Sequence, residues 1–149
     1  MKRVKVALDA CIPERLVKML NSGFGDAGFE FVWEPQFAPA NAEDEFWAVA
    51  FKRFGGEIVI SGDKFIAKRP HQIQAFKENG LISFFMLHNW SNMDLTFKAA
   101  HTIAWWPRIQ AHLSQCKAGD AYWIPMAIRN VPFKKVEIPD GLAKRKASG

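Results

Sequence analysis

Three acidic sites follow apolar runs: Asp9 after Val4–Leu8, the trio Glu43-Asp44-Glu45 after Phe29–Trp33 and a Pro-bearing loop, and Asp63 after residues 57–60. If those runs are strands of one parallel sheet, all three sites fall on its carboxyl edge, where open α/β sheets bind ligands. Carboxylates crowded on one rim repel one another, and a bound cation is the usual resolution. Oxygen donors without His or Cys suit Mg²⁺ or Mn²⁺ rather than zinc. Such an ion polarises phosphoryl oxygens and activates water, and a pair roughly 3.5–4 Å apart clamps attacking and leaving oxygens. Metal-dependent phosphodiester hydrolysis is the reaction class that fits.

The elements that must position these acids alternate along the chain. Pro13 reads as the first residue of a helix with Ile12, Leu16, Met19 and Leu20 on one face, closed near Gly23. Asn41 reads as the N-cap of a second helix with the stripe Phe46, Trp47, Ala50, Phe51 and Phe54, ended by Gly55-Gly56. Residues 70–79 form a third, with Ile73 and Phe76 inward and Gly80 as its stop. Residues 81–87 do not alternate, which predicts a central strand covered on both faces. Residues 93–105 read as helical; Pro107 kinks or restarts the helix, and Ile109, Leu113 and Cys116 continue it to Gly119, before a last strand over 122–126. This order predicts an α/β fold: one three-layer α/β/α domain over residues 1–131 with a mostly parallel central sheet, then a basic, Pro-containing extension over 132–149.

The strand ending in Asp9, the segment Asp44-Glu45-Phe46-Trp47 and the segment Ile58-Val59-Ile60-Ser61-Gly62-Asp63-Lys64, in that order and spacing, resemble the PIN-like ribonuclease fold. The branch they look most like is that of the toxins of VapBC-type toxin–antitoxin modules. The segment Trp105-Trp106-Pro107-Arg108-Ile109 and the strand after Gly119 are similar to that branch's C-terminal end, so the resemblance covers residues 4–126. It implies a cytoplasmic endoribonuclease dependent on Mg²⁺ or Mn²⁺, with RNA as substrate and a small antitoxin protein as inhibitor, a homodimer being left open. By the same resemblance Asp9, Asp44 and Asp63 hold the metal and act in catalysis, with Glu43 or Glu45 as alternatives to Asp44. Ser61 stands in the place of a small hydroxyl residue that orients a carboxylate or the attacking water. Relatives often carry another acid two residues after the strand-three aspartate; this chain has Phe65 there, and Asp94 is the candidate fourth ligand. Two rival readings stand beside this one. The first is a receiver-like module with Asp63 as phosphoacceptor, and the second is a non-catalytic RNA- or protein-binding domain with a degraded PIN-like site.

Composition narrows the rest. With 149 residues, 49% hydrophobic and 23% charged, the chain has the apolar material for a packed core and is not a disordered polymer. Cys11 and Cys116 cannot make a disulfide framework, and Asp9 interrupts the only apolar run of a signal-peptide kind, so reduced cytosolic thiols are expected. No apolar stretch approaches the roughly 18 residues of a membrane span, so no membrane partner is expected. Cys11 is expected to be a small buried residue rather than a nucleophile, and His71, His88, His101 and His112 lack metal-ligand spacing. Lys64, Lys68, Arg69 and His71 could hold substrate phosphates or form a solvated loop. Trp47, Trp105 and Trp106 read as core, and Trp90, in the polar loop 88–92, as the aromatic best placed to stack a base. The formal charge of +5 is terminal: Lys2, Arg3 and Lys5 at one end, and five bases against two acids over 132–149, leave residues 6–131 at −1. The case for phosphate chemistry therefore rests on the carboxylates.

Overall fold

The computed structural model describes residues 3–25, 28–39 and 43–137, except for the side chains of Asp44 and Glu45. Six strands form one sheet: β1 (Val4–Leu8), β2 (Phe29–Trp33), β3 (Gly56–Ser61), β4 (Ile82–Met86), β5 (Ala121–Ile124) and β6 (Lys134–Lys135). Their order is β2-β1-β3-β4-β5-β6; the first five are parallel and β6 runs antiparallel to β5. Among the described residues four α-helices cover it: α1 (Glu14–Phe24), α2 (Asp44–Arg53), α3 (Pro70–Glu78) and α4 (Leu95–His112). This is the three-layer α/β/α, mostly parallel arrangement that the strand–helix alternation predicts.

The two faces follow from the period-two alternation of strand side chains. Val6, Leu8, Ile58, Ile60 and Phe84 point to one side, where they pack with Leu16 and Leu20 of α1 and Trp105, Trp106 and Ile109 of α4. Ala7, Val59 and Phe85 point to the other, against Trp47 and Phe51 of α2 and Ile73 and Phe76 of α3. The aromatic load is spent on these layers. The Trp106 ring, for example, meets Phe29 and Phe31 edge-on at centroid distances of 5.0 and 4.8 Å, a geometry that aligns ring edges with π-faces. Strand β4 is buried on both faces, as its continuous apolar run requires.

Several local expectations change. Pro13 is the N-cap of α1 rather than its first residue, Val17 is buried where Met19 is exposed, and the helix continues through Gly23 to Phe24. On α2, Trp47, Ala48 and Phe51 face the core whereas Phe46 and Phe54 are exposed; the expected cap Asn41 lies outside the described residues, and Glu43 stands in the N-cap position. Helix α4 runs through Pro107 without a restart, because Trp105, Trp106 and Ile109 are all seated in the core on either side of it. It ends at His112, and Leu113–Gln115 form a 3-10 turn, short of Gly119. Of the stretch expected as an extension, Phe133 packs on Phe84, Trp105 and His112, and Lys134–Lys135 pair with β5. Residues 138–149 lie outside the described part. Among the described residues no helix is long and apolar enough to cross a membrane.

Candidate metal and active site

The parallel register decides which residues meet at the carboxyl edge. Leu8 pairs with Trp33 on one side and Ile60 on the other, so the next residue of each strand segment, Asp9, Glu34 and Ser61, emerges in one row. That row sits where the strand order reverses between β1 and β3, the topological switch point at which successive connections leave in opposite directions and open a crevice.

Asp9 is 4% exposed. Its Oδ2 accepts the Ser61 hydroxyl proton, and its Oδ1 accepts the backbone N–H groups of Gly62 and Cys11, each at 3.2 Å. Having given its one proton to Asp9, Ser61 Oγ can only accept from elsewhere, and it takes the Asp63 N–H at 3.2 Å. Asp63, 8% exposed, turns its Oδ1 to the Phe65 N–H at 2.9 Å and its Oδ2 to the Arg69 guanidinium, 3.4 Å away. Glu34 Oε1 accepts the Ala10 N–H at 3.3 Å, which holds a third carboxylate on the same rim.

Burial pushes the Asp9 carboxyl up from 3.8 to about 7, against the Ser61 and Gly62 hydrogen bonds that lower it, with the charges of Glu34 and Asp63 adding to the rise. A carboxylate has roughly four acceptor positions, and the three donors to Asp9 leave one for a further partner. The carboxylate oxygens of Asp9 and Asp63 are of the donor type that suits a hard divalent cation rather than zinc, though among the described residues they make no complete ligand set. Cys11 corrects an expectation, since it is exposed at this rim rather than buried. Desolvation and the charges of Asp9, Asp63 and Glu34 push its thiol up to about 12, so it holds its proton and is no nucleophile.

The other expected residues stand as follows. The backbone of Asp44 opens α2, but its side chain, like that of Glu45, lies outside the described part of the structure. Among the described residues no group of three His, Cys, Asp or Glu forms a ligand cluster. Asp94 serves as the N-cap of α4, its Oδ1 accepting the Phe97 N–H at 2.8 Å. Lys64, Lys68 and Arg69 are exposed on the loop after Asp63. Trp90 is not an exposed base platform but is wholly buried, because Gly62 has no side chain: a Cβ there would lie 2.6 Å from the Trp90 ring and 3.1 Å from Ile12. Glu34 escaped the sequence reading, although the rule that singled out Asp9, an acid directly after a strand, also selects it.

A family model described as a PIN like domain matches residues 4–88, a span that holds Asp9, Glu34, Asp44, Ser61 and Asp63. No curated protein and no solved structure matches the chain.

Proposed function

The chain belongs to the PIN-like domain family, whose members are commonly nucleases, and on that premise we propose that it is a divalent-metal-dependent endoribonuclease, the toxin of a toxin–antitoxin pair. The observation that carries this reading is the hydrogen-bonded line Asp9–Ser61–Asp63 at the switch point of the sheet, with a desolvated carboxyl at its head. Asp9, Asp63 and Asp44, the last brought by the start of α2, would hold Mg²⁺ or Mn²⁺, which supplies Lewis-acid activation for phosphodiester hydrolysis.

The chain's own residues do the rest. Ser61 fixes the direction of the Asp9 carboxylate and ties the Asp63 backbone to it, so both acids keep one geometry without substrate. The Gly62 and Cys11 N–H groups saturate Asp9 Oδ1, so the acceptor position left for the cation is on Oδ2, beside the Ser61 hydroxyl. Arg69 neutralises Asp63 and, being half exposed, can turn to an incoming phosphate. A small antitoxin protein inhibits by covering this acidic rim, and the pair acts in the cytoplasm.

The test is cleavage of a mixed-sequence single-stranded RNA by the purified chain. Activity should require Mg²⁺ or Mn²⁺, vanish with EDTA, and be lost in Asp9→Asn and Asp63→Asn chains that still fold. Full activity in either variant would overturn the mechanism. Growth arrest on expression, relieved by co-expressing the protein of the neighbouring reading frame, tests the toxin role.

A further inference from the structure

Phe65, two residues after Asp63, is 43% exposed and belongs to neither core. It is nevertheless held in place. Its N–H is bound to Asp63 Oδ1 at 2.9 Å, its carbonyl accepts the Lys68 N–H at 2.8 Å, and the next residue, Ile66, is buried. An exposed aromatic ring on an anchored loop, two residues from a buried carboxylate, is held in place for a ligand that reaches that carboxylate.

A cleft of about 370 Å³ opens at this point, lined by Cys11, Asp63, Lys64, Phe65, Arg69 and Asn92 among others. The Lys64 ammonium lies 5.1 Å from the Phe65 ring centroid, and Arg69 Nη1 lies 3.4 Å from Asp63. Lys64 lies over one face of the ring, and the face it leaves free, in a cleft that Lys64 and Arg69 both line, matches one nucleotide, whose base stacks on a ring while the adjoining phosphates meet positive charge. Asn92 adds a side-chain donor and acceptor for a base edge. Asp9 and Asp63 are recessed, at 4% and 8% exposure, and a single strand, whose bases are free to splay out, can bend a phosphodiester toward such a recess.

We infer that Phe65 is the stacking platform for an unpaired base next to the scissile phosphate, and so selects single-stranded substrate; this rests on the nuclease reading above.

The experiment measures fluorescence anisotropy of a labelled single-stranded RNA, a DNA of the same sequence and an RNA duplex. The chain carries Asp9→Asn to block cleavage, with Phe65, Phe65→Ala or Phe65→Trp. Phe65→Ala should weaken single-strand binding by about 5- to 150-fold, the worth of one stacked base, and Phe65→Trp should restore it. RNA and DNA single strands should lose alike, because a base offers the same face on either sugar, and duplex binding should not change. Unchanged single-strand binding, equal losses for duplex and single strand, or a loss confined to RNA each overturn the inference. Cleavage by a chain carrying Asp9 separates the two readings: an active wild type whose binding ignores Phe65 removes the platform alone. An inactive one with Phe65-dependent binding keeps the platform and removes the catalysis.

Discussion

Ser61 stands between two acids that are far apart in sequence and adjacent in space: its hydroxyl donates to Asp9 and its oxygen accepts the Asp63 N–H at 3.2 Å. Replacing it by Ala strips one donor from a buried carboxylate and one acceptor from a buried N–H. Ser61→Ala should therefore cost about 1–3 kcal/mol in urea unfolding. The cost should be larger at about pH 8, where Asp9 is ionised, than at about pH 5, where it is protonated. Equal costs at both values would show that the hydroxyl does not serve the charge.

The Asp9 carboxyl titrates at about 7 in the fold against an ordinary 3.8. Between those values the folded chain keeps a proton that the unfolded chain has lost. Stability in EDTA should therefore fall as pH rises from about 4 to about 7, by at most about 1.4 kcal/mol per pH unit, and level off above. Asp9→Asn should remove that fall and be the more stable chain at about pH 8. Mg²⁺ should recover wild-type stability there and leave Asp9→Asn unmoved. Thermal melts across this range check all three statements.

Gly62→Ala sets a methyl group 2.6 Å from the Trp90 ring, which is wholly buried and cannot swing aside. Overpacking of this kind costs about 1–3 kcal/mol, and the loop that carries the Gly62 N–H to Asp9 has to shift with it. In a double-mutant cycle, Trp90→Phe should take back part of that loss, because the smaller ring vacates the overlap. Strict additivity of the two substitutions would contradict the contact.

Arg69 is the cation that meets Asp63, at 3.4 Å and with its side chain 49% exposed. Exposed pairs contribute about 0–1 kcal/mol, so Arg69→Gln should leave the melting temperature almost unchanged. Freed of that competitor, Asp63 should raise Mn²⁺ affinity by up to about tenfold in calorimetric titration. A fall in affinity would mean that Arg69 positions the carboxylate instead of competing for it.

Sequence patterning carries far in this chain where the physics is local. An apolar run closed by an acid marks Asp9 and Asp63 as strand-end residues, and parallel register then brings Ser61 beside Asp9. It fails where a long-range partner decides. Trp90 sits among His, Asn and Ser and reads as exposed, yet the missing side chain of Gly62, in a loop twenty-eight residues earlier, makes the slot that buries it. Phe65 reads as a lost ligand from its residue type alone; only its anchored, exposed ring suggests a use. Pro107 promises a kink or a restart, and the helix does not restart, because the buried residues around Pro107 outweigh its local preference.

The two-residue strand β6 gives the sheet its last edge. Without it, β5, with Tyr122 and Ile124 buried, would present an open row of N–H and C=O groups to any passing strand. Lys134 and Lys135 occupy that row instead, both exposed, with Lys135 held 3.8 Å from Asp120 and the Val136 N–H closing on Ala121 O at 2.9 Å. A second strand approaching there meets a short edge with exposed lysine side chains, which disfavours pairing. Lys134 and Lys135 thus disfavour the addition of a further strand at this edge.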